Sequence, residues 1–190
     1  MSVSVDITAK KQEDFGLSER MRESNCMQII RHCMAQNLST EKICQNILES
    51  LIRALHFPEM AVAMIELENK QIATIGYQEN FHNQLTAQII SNGTICGLLK
   101  VSYLQDLPFT LPYEQNLIDS IAHDLGRWYE REEAEQRIIR MATHDALTGL
   151  PNRLLLQDRI EQALVHDTRH QRQMAVLFID LDHFKTINDS

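Results

Sequence analysis

The spacing of apolar residues changes twice along this chain, and those changes bound what it can fold into. Ile43, Ile47, Leu48, Leu51, Ile52 and Leu55 recur every three to four residues, the period of one helix face. His56-Phe57-Pro58 stops that helix, because the residue before a proline is pushed out of the helical region. An earlier run, Met21, Met27, Ile30, Cys33 and Met34, has the same period and predicts a helix from residue 17 to about 35, with Ser18 as its cap. From residue 61 the period shortens. Residues 61–67 and 71–75 are partly β-branched runs around Glu68-Asn69-Lys70, which fits a hairpin. Leu85, Ala87 and Ile89 alternate with Thr86, Gln88 and Ile90, and Asn92-Gly93 then supplies a strong turn signal. On the returning strand Ile95, Gly97, Leu99, Val101 and Tyr103 share one face, so the middle of the chain reads as an antiparallel meander. Pro108 ends it. Thr110, Pro112 and Glu114 open a long helix, since proline and acidic side chains both suit a first turn.

Charge and cysteine content exclude several classes. The 190 residues carry 18 Lys and Arg against 26 Asp and Glu, a formal net charge of −8, and residues 54–126 hold only two basic residues, Lys70 and Lys100, against eight acidic ones. A phosphate backbone would be repelled there, which argues against nucleic acid as a partner. Residues 127–172 mix both signs in near balance, as solvated helix faces do. Cys26, Cys33, Cys44 and Cys96 form no Cys-x-x-Cys pair, so reduced thiols in a cytoplasmic protein are the expectation. Cys26 and Cys33 share a helix face beside His32, but the spacing is not that of a zinc motif. The first eleven residues lack the apolar stretch of a signal peptide, and the runs 60–65 and 175–179 fall far short of the roughly 20 residues that span a bilayer. No membrane segment is expected.

In the long helix Ile118, Ile121, Leu125 and Trp128 occupy a and d heptad positions, but Glu132 and Glu135 interrupt the seam before Ile139 and Ala142 resume it. Two arrangements satisfy this pattern. One is a single amphipathic helix packed on the sheet with residues 130–137 exposed. The other is a marginal parallel coil between two copies, whose charged seam admits two registers.

The order of helix, strands and long helix resembles a compact GAF domain of the sensor type. The resemblance is closest at Gly97-Leu98-Leu99-Lys100-Val101-Ser102-Tyr103-Leu104, Pro108-Phe109 and Leu117-Ile118-Asp119-Ser120-Ile121-Ala122. It implies a signalling role and names no ligand. A sheet under one helical layer can enclose a small-molecule cavity, or its core can be filled and serve dimerisation alone. His82, Tyr103 and Cys96 read as packing or surface residues.

The last fifty residues carry the chemistry. Residues 174–179 form a continuous apolar run suited to a buried strand, delivering Asp180 and Asp182 at its C-terminal end, the edge where open α/β sheets place ligands. A carboxylate there is a hard oxygen donor suited to Mg²⁺, and Lys185 follows as a point charge for phosphates. Upstream stands Thr143-His144-Asp145-Ala146-Leu147-Thr148-Gly149-Leu150-Pro151-Asn152-Arg153. These two segments, in this order, resemble the beginning of a GGDEF domain, the diguanylate cyclase module. The resemblance implies GTP as substrate, Mg²⁺ as cofactor, Asp180 and the Leu181 carbonyl as metal ligands, Lys185 as a phosphate contact, Phe184 as a backbone neighbour of the phosphates and Asn188 as a guanine contact. It assigns Asp145, Leu147, Thr148, Gly149, Asn152 and Arg153 to a turn that couples the preceding helix to the domain. The Gly-Gly-Asp-Glu-Phe hairpin and the Arg-x-x-Asp inhibitory motif are missing from these residues, so the chain by itself is expected to be inactive. A strand at 174–179 without a neighbour would leave its backbone groups unpaired, and the stretch from about Arg169 is expected to fold poorly or pair with another chain.

The expected fold class is thus α+β / α/β: a small GAF-type antiparallel sheet with flanking helices, a long linker helix, and the truncated start of a ferredoxin-like (palm-like) domain. The expected parts are a polar tail (1–16), a GAF sensor (17–130), a linker (131–142) and the GGDEF start (143–190), dimerising through GAF and linker helices. Three functions compete: a sensor regulating a diguanylate cyclase, a regulatory GGDEF module ahead of a cyclic di-GMP phosphodiesterase, and a free GAF dimerisation or ligand-binding module.

Overall fold

The computed structural model describes residues 19–68, 70–78, 83–105, 112–170, 175–177 and 179. In chain order these form α1 (residues 19–34), α2 (Thr40–Ala54), a 3-10 turn (Pro58–Met60), β1 (Ala61–Leu67), β2 (Lys70–Ala73), β3 (Gln84–Ser91), β4 (Thr94–Tyr103), α3 (Pro112–Thr143) and α4 (Arg153–His170). The chain divides into two compact units, Met1–Glu133 and Ala134–Ser190, with the division falling within α3.

In the first unit local signals and structure agree closely. The Ser39 hydroxyl caps α2 by accepting the Lys42 N–H at 3.3 Å, and Asn92-Gly93 turns β3 into β4 with positive φ at both residues. The sheet is antiparallel, as expected, but it is not a meander. Its order is β2-β1-β4-β3, two hairpins joined by a β1–β4 pair with Ile65 opposite Leu99. Burial accounts for the order: β1 is covered on both faces and takes the interior, whereas β2, mostly exposed and opening on Lys70, takes an edge.

The returning strand departs from strict alternation. Ile89 faces Gly97 while Ile90 faces Ile95, so Cys96 is the extra residue of a β-bulge. Ile95, expected on the buried face with Leu99 and Val101, is therefore 60% exposed.

The core lies on the helical side of the sheet. Ile43, Ile47 and Leu51 of α2 meet Ile65, Leu99 and Val101 of the sheet and Ile118, Ile121 and Leu125 of α3, all fully buried or within 1% of it. The four a and d positions from Ile118 to Trp128 are thus spent inside this unit, which removes them from any coiled coil with a second copy. Residues on the same helix bring α3 very close to β3. Gln115 donates to the Thr86 carbonyl at 3.2 Å, and Gly126 sits so near Ile90 that a Cβ would lie 2.2 Å from the Ile90 carbonyl oxygen. The Arg31 guanidinium donates to Asp124 at 2.8 Å, tying α1 to the same helix.

Glu114, read from sequence as a first-turn charge, is instead buried. It accepts the Tyr103 hydroxyl at 2.7 Å and the His56 backbone N–H at 3.0 Å, so the start of α3 is pinned to the end of β4 and the exit of α2. The Tyr103 phenol is held well above its usual range, first by burial and then by that hydrogen bond.

The second unit contains the last turns of α3, a tight turn and α4. The strand expected over 174–179 is not formed across its described residues. Residues 175–177 and 179 lie outside any strand and are exposed, consistent with the requirement that an extended backbone find a neighbour for its N–H and C=O groups. Among the described residues, no helix is long and apolar enough to cross a membrane.

Candidate functional site

The best-defined site of the second unit is the turn between α3 and α4. Its centre is Asp145, whose Oδ1 accepts the Leu147 N–H at 3.2 Å, the Thr148 N–H at 2.9 Å and the Thr148 hydroxyl at 2.8 Å. This is the short-range bonding that favours aspartate at turns. Its main chain closes the loop as well: Gly149 N–H donates to the Asp145 carbonyl at 2.9 Å, and Asp145 N–H to the Leu150 carbonyl at 2.8 Å. Gly149 takes φ +69°, a left-handed conformation that glycine adopts without a Cβ penalty.

Asn152 joins the two helices. Its side-chain amide donates to the Ala142 carbonyl at 2.7 Å, and its backbone N–H to the Thr143 carbonyl at 2.9 Å, filling acceptors left over at the end of α3. The same side chain accepts the Leu155 N–H at 3.1 Å and so caps α4. His144 and Pro151 pair across the mouth of the turn. Hydrogen bonds from Thr148, backbone first and hydroxyl second, hold the Asp145 carboxyl below its ordinary value.

The structure therefore brings Asp145, Thr148, Gly149 and Asn152 together. Leu147 contributes only its backbone while its side chain is 93% exposed, and Arg153 opens α4 with an exposed side chain. Sequence reasoning overlooked the acceptors on Ala142 and Thr143, whose role no side-chain signal announces. The Thr143 hydroxyl lies 2.9 Å from the His144 Nδ1 and donates to the Ile139 carbonyl at 2.5 Å, and the other bonds of the turn join its two helices. Asp180, Leu181, Phe184, Lys185 and Asn188, with the neighbouring Asp182, lie outside the described residues, as does His82.

In the first unit Cys26 and Cys44 are buried thiols, and the Cys26 Sγ lies 3.5 Å from the Ser50 carbonyl oxygen. Among the described residues no cluster of three or more His, Cys, Asp or Glu could hold a metal ion. An open groove of about 340 Å³ runs between α2 and the end of β2, lined by Gln45, Leu48, Glu49, Ala73, Thr74 and Ile75.

Residues 142–190, which include this turn, match the family described as "Diguanylate cyclase, GGDEF domain". The match begins at the last residues of α3, takes in the whole turn just described, and bears out the GGDEF reading of the C-terminal stretch. Particular relatives share the same region. The bifunctional diguanylate cyclase/cyclic di-GMP phosphodiesterase MucR of Pseudomonas aeruginosa is 54% identical over 57 residues, covering 30% of this chain and 8% of that protein. The diguanylate cyclase TpbB of the same species is 42% identical over 72 residues, 37% of this chain and 17% of TpbB. The cyclic di-GMP phosphodiesterase PdeR of Escherichia coli is 39% identical over 61 residues, 32% of this chain and 9% of PdeR. The chain thus spans between 8% and 17% of the length of these relatives.

Proposed function

We propose that this chain is the sensory and linker portion of a cyclic di-GMP signalling protein, leading into a diguanylate cyclase domain that joins two GTP molecules. In this reading residues 17–130 are a GAF sensor, residues 131–142 a linker, and residues 143–190 the start of the GGDEF domain, acting in the cytoplasm. The supporting observation is the family match over 142–190, which takes in a turn whose Asp145, Thr148, Gly149 and Asn152 are all engaged in joining one helix to the next. The helical pattern ahead of the turn supports the GAF assignment: helices flank one face of a small antiparallel sheet and a long helix follows.

Asp180 and the Leu181 carbonyl are hard oxygen donors of the type Mg²⁺ takes, and they would hold it. The bound ion supplies charge neutralisation at the triphosphate. Lys185 would bind phosphate oxygens, the Phe184 backbone would line them, and Asn188 would hydrogen-bond the guanine. Asp145, Leu147, Thr148, Gly149, Asn152 and Arg153 would transmit the position of the linker to the domain. A homodimer would form through the linker, where Ile138, Ile139 and Met141 are exposed, with the GAF unit adding contacts and taking a small molecule.

The test uses a protein carrying this chain together with the Gly-Gly-Asp-Glu-Phe hairpin. With GTP and Mg²⁺ it is expected to form cyclic di-GMP, and Asp180→Ala to abolish the product without changing the thermal melt. A second reading, a regulatory GGDEF module ahead of a phosphodiesterase, is favoured by the names of MucR and PdeR. Hydrolysis of added cyclic di-GMP with no synthesis from GTP would overturn the first reading in favour of the second.

A further inference from the structure

The buried seam of α3 ends at Trp128, yet the helix stays attached to the sheet for one more turn by a different means. Gly126, Tyr129 and Glu133 fall at i, i+3 and i+7, a single stripe along the helix. At the first of these positions the backbone touches the Ile90 main chain. At the other two the contacts are polar: Tyr129 donates its hydroxyl to the Glu68 carboxylate, and Ser91 donates its hydroxyl to Glu133 at 3.4 Å. Glu68 and Ser91 belong to two separate hairpin turns at the same end of the sheet. Glu68 holds the β1–β2 turn at φ +54° and donates its N–H to the Cys96 carbonyl at 2.8 Å, while Ser91 anchors the β3–β4 turn by accepting Thr94 on its carbonyl at 2.9 Å.

We propose that these two hydroxyl–carboxylate contacts form a releasable latch, which pins the turn of α3 after Trp128 within the first unit and lets go without unfolding the core beneath. Two observations favour a latch over ordinary packing. On α3 between Trp128 and Glu133 no large apolar side chain is fully buried, and the half-buried Tyr129 ring alone packs against the core, so the two polar contacts carry the rest of that turn. Both acceptors are partly or fully exposed to solvent, where hydrogen bonds exchange with water at small net cost. The Tyr129 phenol is held above its usual range by burial and then by the Glu68 hydrogen bond, so it remains a donor. The inference concerns the first unit alone and does not rest on the proposed signalling role.

Trp128, the single tryptophan of the chain, sits nearly buried beside the latch and reports on it. In the full chain, acrylamide quenching of its fluorescence is expected to rise by about twofold in Tyr129→Phe with Ser91→Ala, as local opening uncovers the ring while the global fold persists. The far-UV spectrum and urea midpoint should stay near those of the parent. Arg31→Ala, which cuts a tether one turn before Trp128, serves as the control and should leave quenching unchanged. If the double variant fails to fold, each single variant is expected to show a smaller rise. Unchanged quenching in folded latch variants would overturn the proposal, and so would an equal rise in Arg31→Ala.

Discussion

Replacing Gly126 with alanine should destabilise the first unit, although the same change in an open helix would stabilise it. Helix propensity favours alanine over glycine by about 0.8–1.0 kcal/mol. Against that stands the β3 backbone. A Cβ at this position would lie 2.2 Å from the Ile90 carbonyl oxygen and 3.1 Å from its carbon, and real Cβ contacts essentially never fall under 3.0 Å, so helix and strand must part by about 0.8 Å. Both partners are main chain and neither can rotate away. Overpacking of a tight core costs roughly 1–3 kcal/mol, and the upper half of that range applies where two backbones must separate along a shared stripe. The net expectation is a loss of about 1–2 kcal/mol, which for a small domain lowers the melting midpoint by roughly 5–15 °C. Circular dichroism at 222 nm, followed with Trp128 fluorescence, checks it. Gly149→Ala provides the contrast: nothing lies within 4 Å of its Cβ position, and its penalty comes from a left-handed φ of +69°. That penalty, about 1 kcal/mol, should appear in the turn of the second unit and leave the melt of the first unchanged. A midpoint for Gly126→Ala equal to or above that of the parent would refute the close-approach argument.

Other perturbations test the remaining polar anchors. Tyr103→Phe removes a hydroxyl donor from the buried Glu114 carboxylate and should cost about 1.5–3 kcal/mol in urea unfolding; a change below about 0.5 kcal/mol would show that Glu114 finds other partners. Asp145 has a folded value depressed below its unfolded one, so its stabilisation of the turn is present at neutral pH and is lost as pH falls through the depressed value. The Thr148 amide resonance should therefore titrate with a midpoint below about 4, the ordinary carboxylate value, and Asp145→Asn should abolish that titration. Cys26 and Cys44 are pushed up to about 11 by burial, so at pH 8 iodoacetamide should label the half-exposed Cys33 well before either.

How much of this was legible in the sequence depended on how far apart the deciding residues lie. The α2 face from Ile43 to Leu55, the hairpin at Glu68, the Asn92-Gly93 turn and the opening of α3 all rest on residues a few positions apart, and each appears where its local signal puts it. The β1–β4 pairing joins residues about 35 positions apart, as in Ile65 with Leu99, and no local pattern distinguishes it from a meander. The bulge at Cys96 is equally silent: a period-2 reading carries straight through it and misplaces Ile95. Glu114 shows the same limit for a polar residue. As a glutamate in a first turn it fits the helix dipole, and only the approach of Tyr103 and the His56 N–H makes it a buried acceptor.

The same argument separates the two halves of the candidate site. Eleven consecutive residues, from Thr143 to Arg153, hold nearly every partner their turn needs: a short side chain at Asp145, a hydroxyl at Thr148, a glycine at 149 and a capping amide at Asn152. Such a segment can be read from its letters because its bonds are local, and the helices on either side need only end and begin there. The stretch from residue 174 is different in kind. An apolar run becomes a strand when a neighbour accepts its backbone, and the metal-binding role proposed for Asp180 would require that strand to present it at a sheet edge. Its chemistry is therefore conditional on a sheet, whereas the joint at Asp145 is complete in itself. Asn152 carries the continuity of that joint, since it bonds both the end of one helix and the first turn of the next.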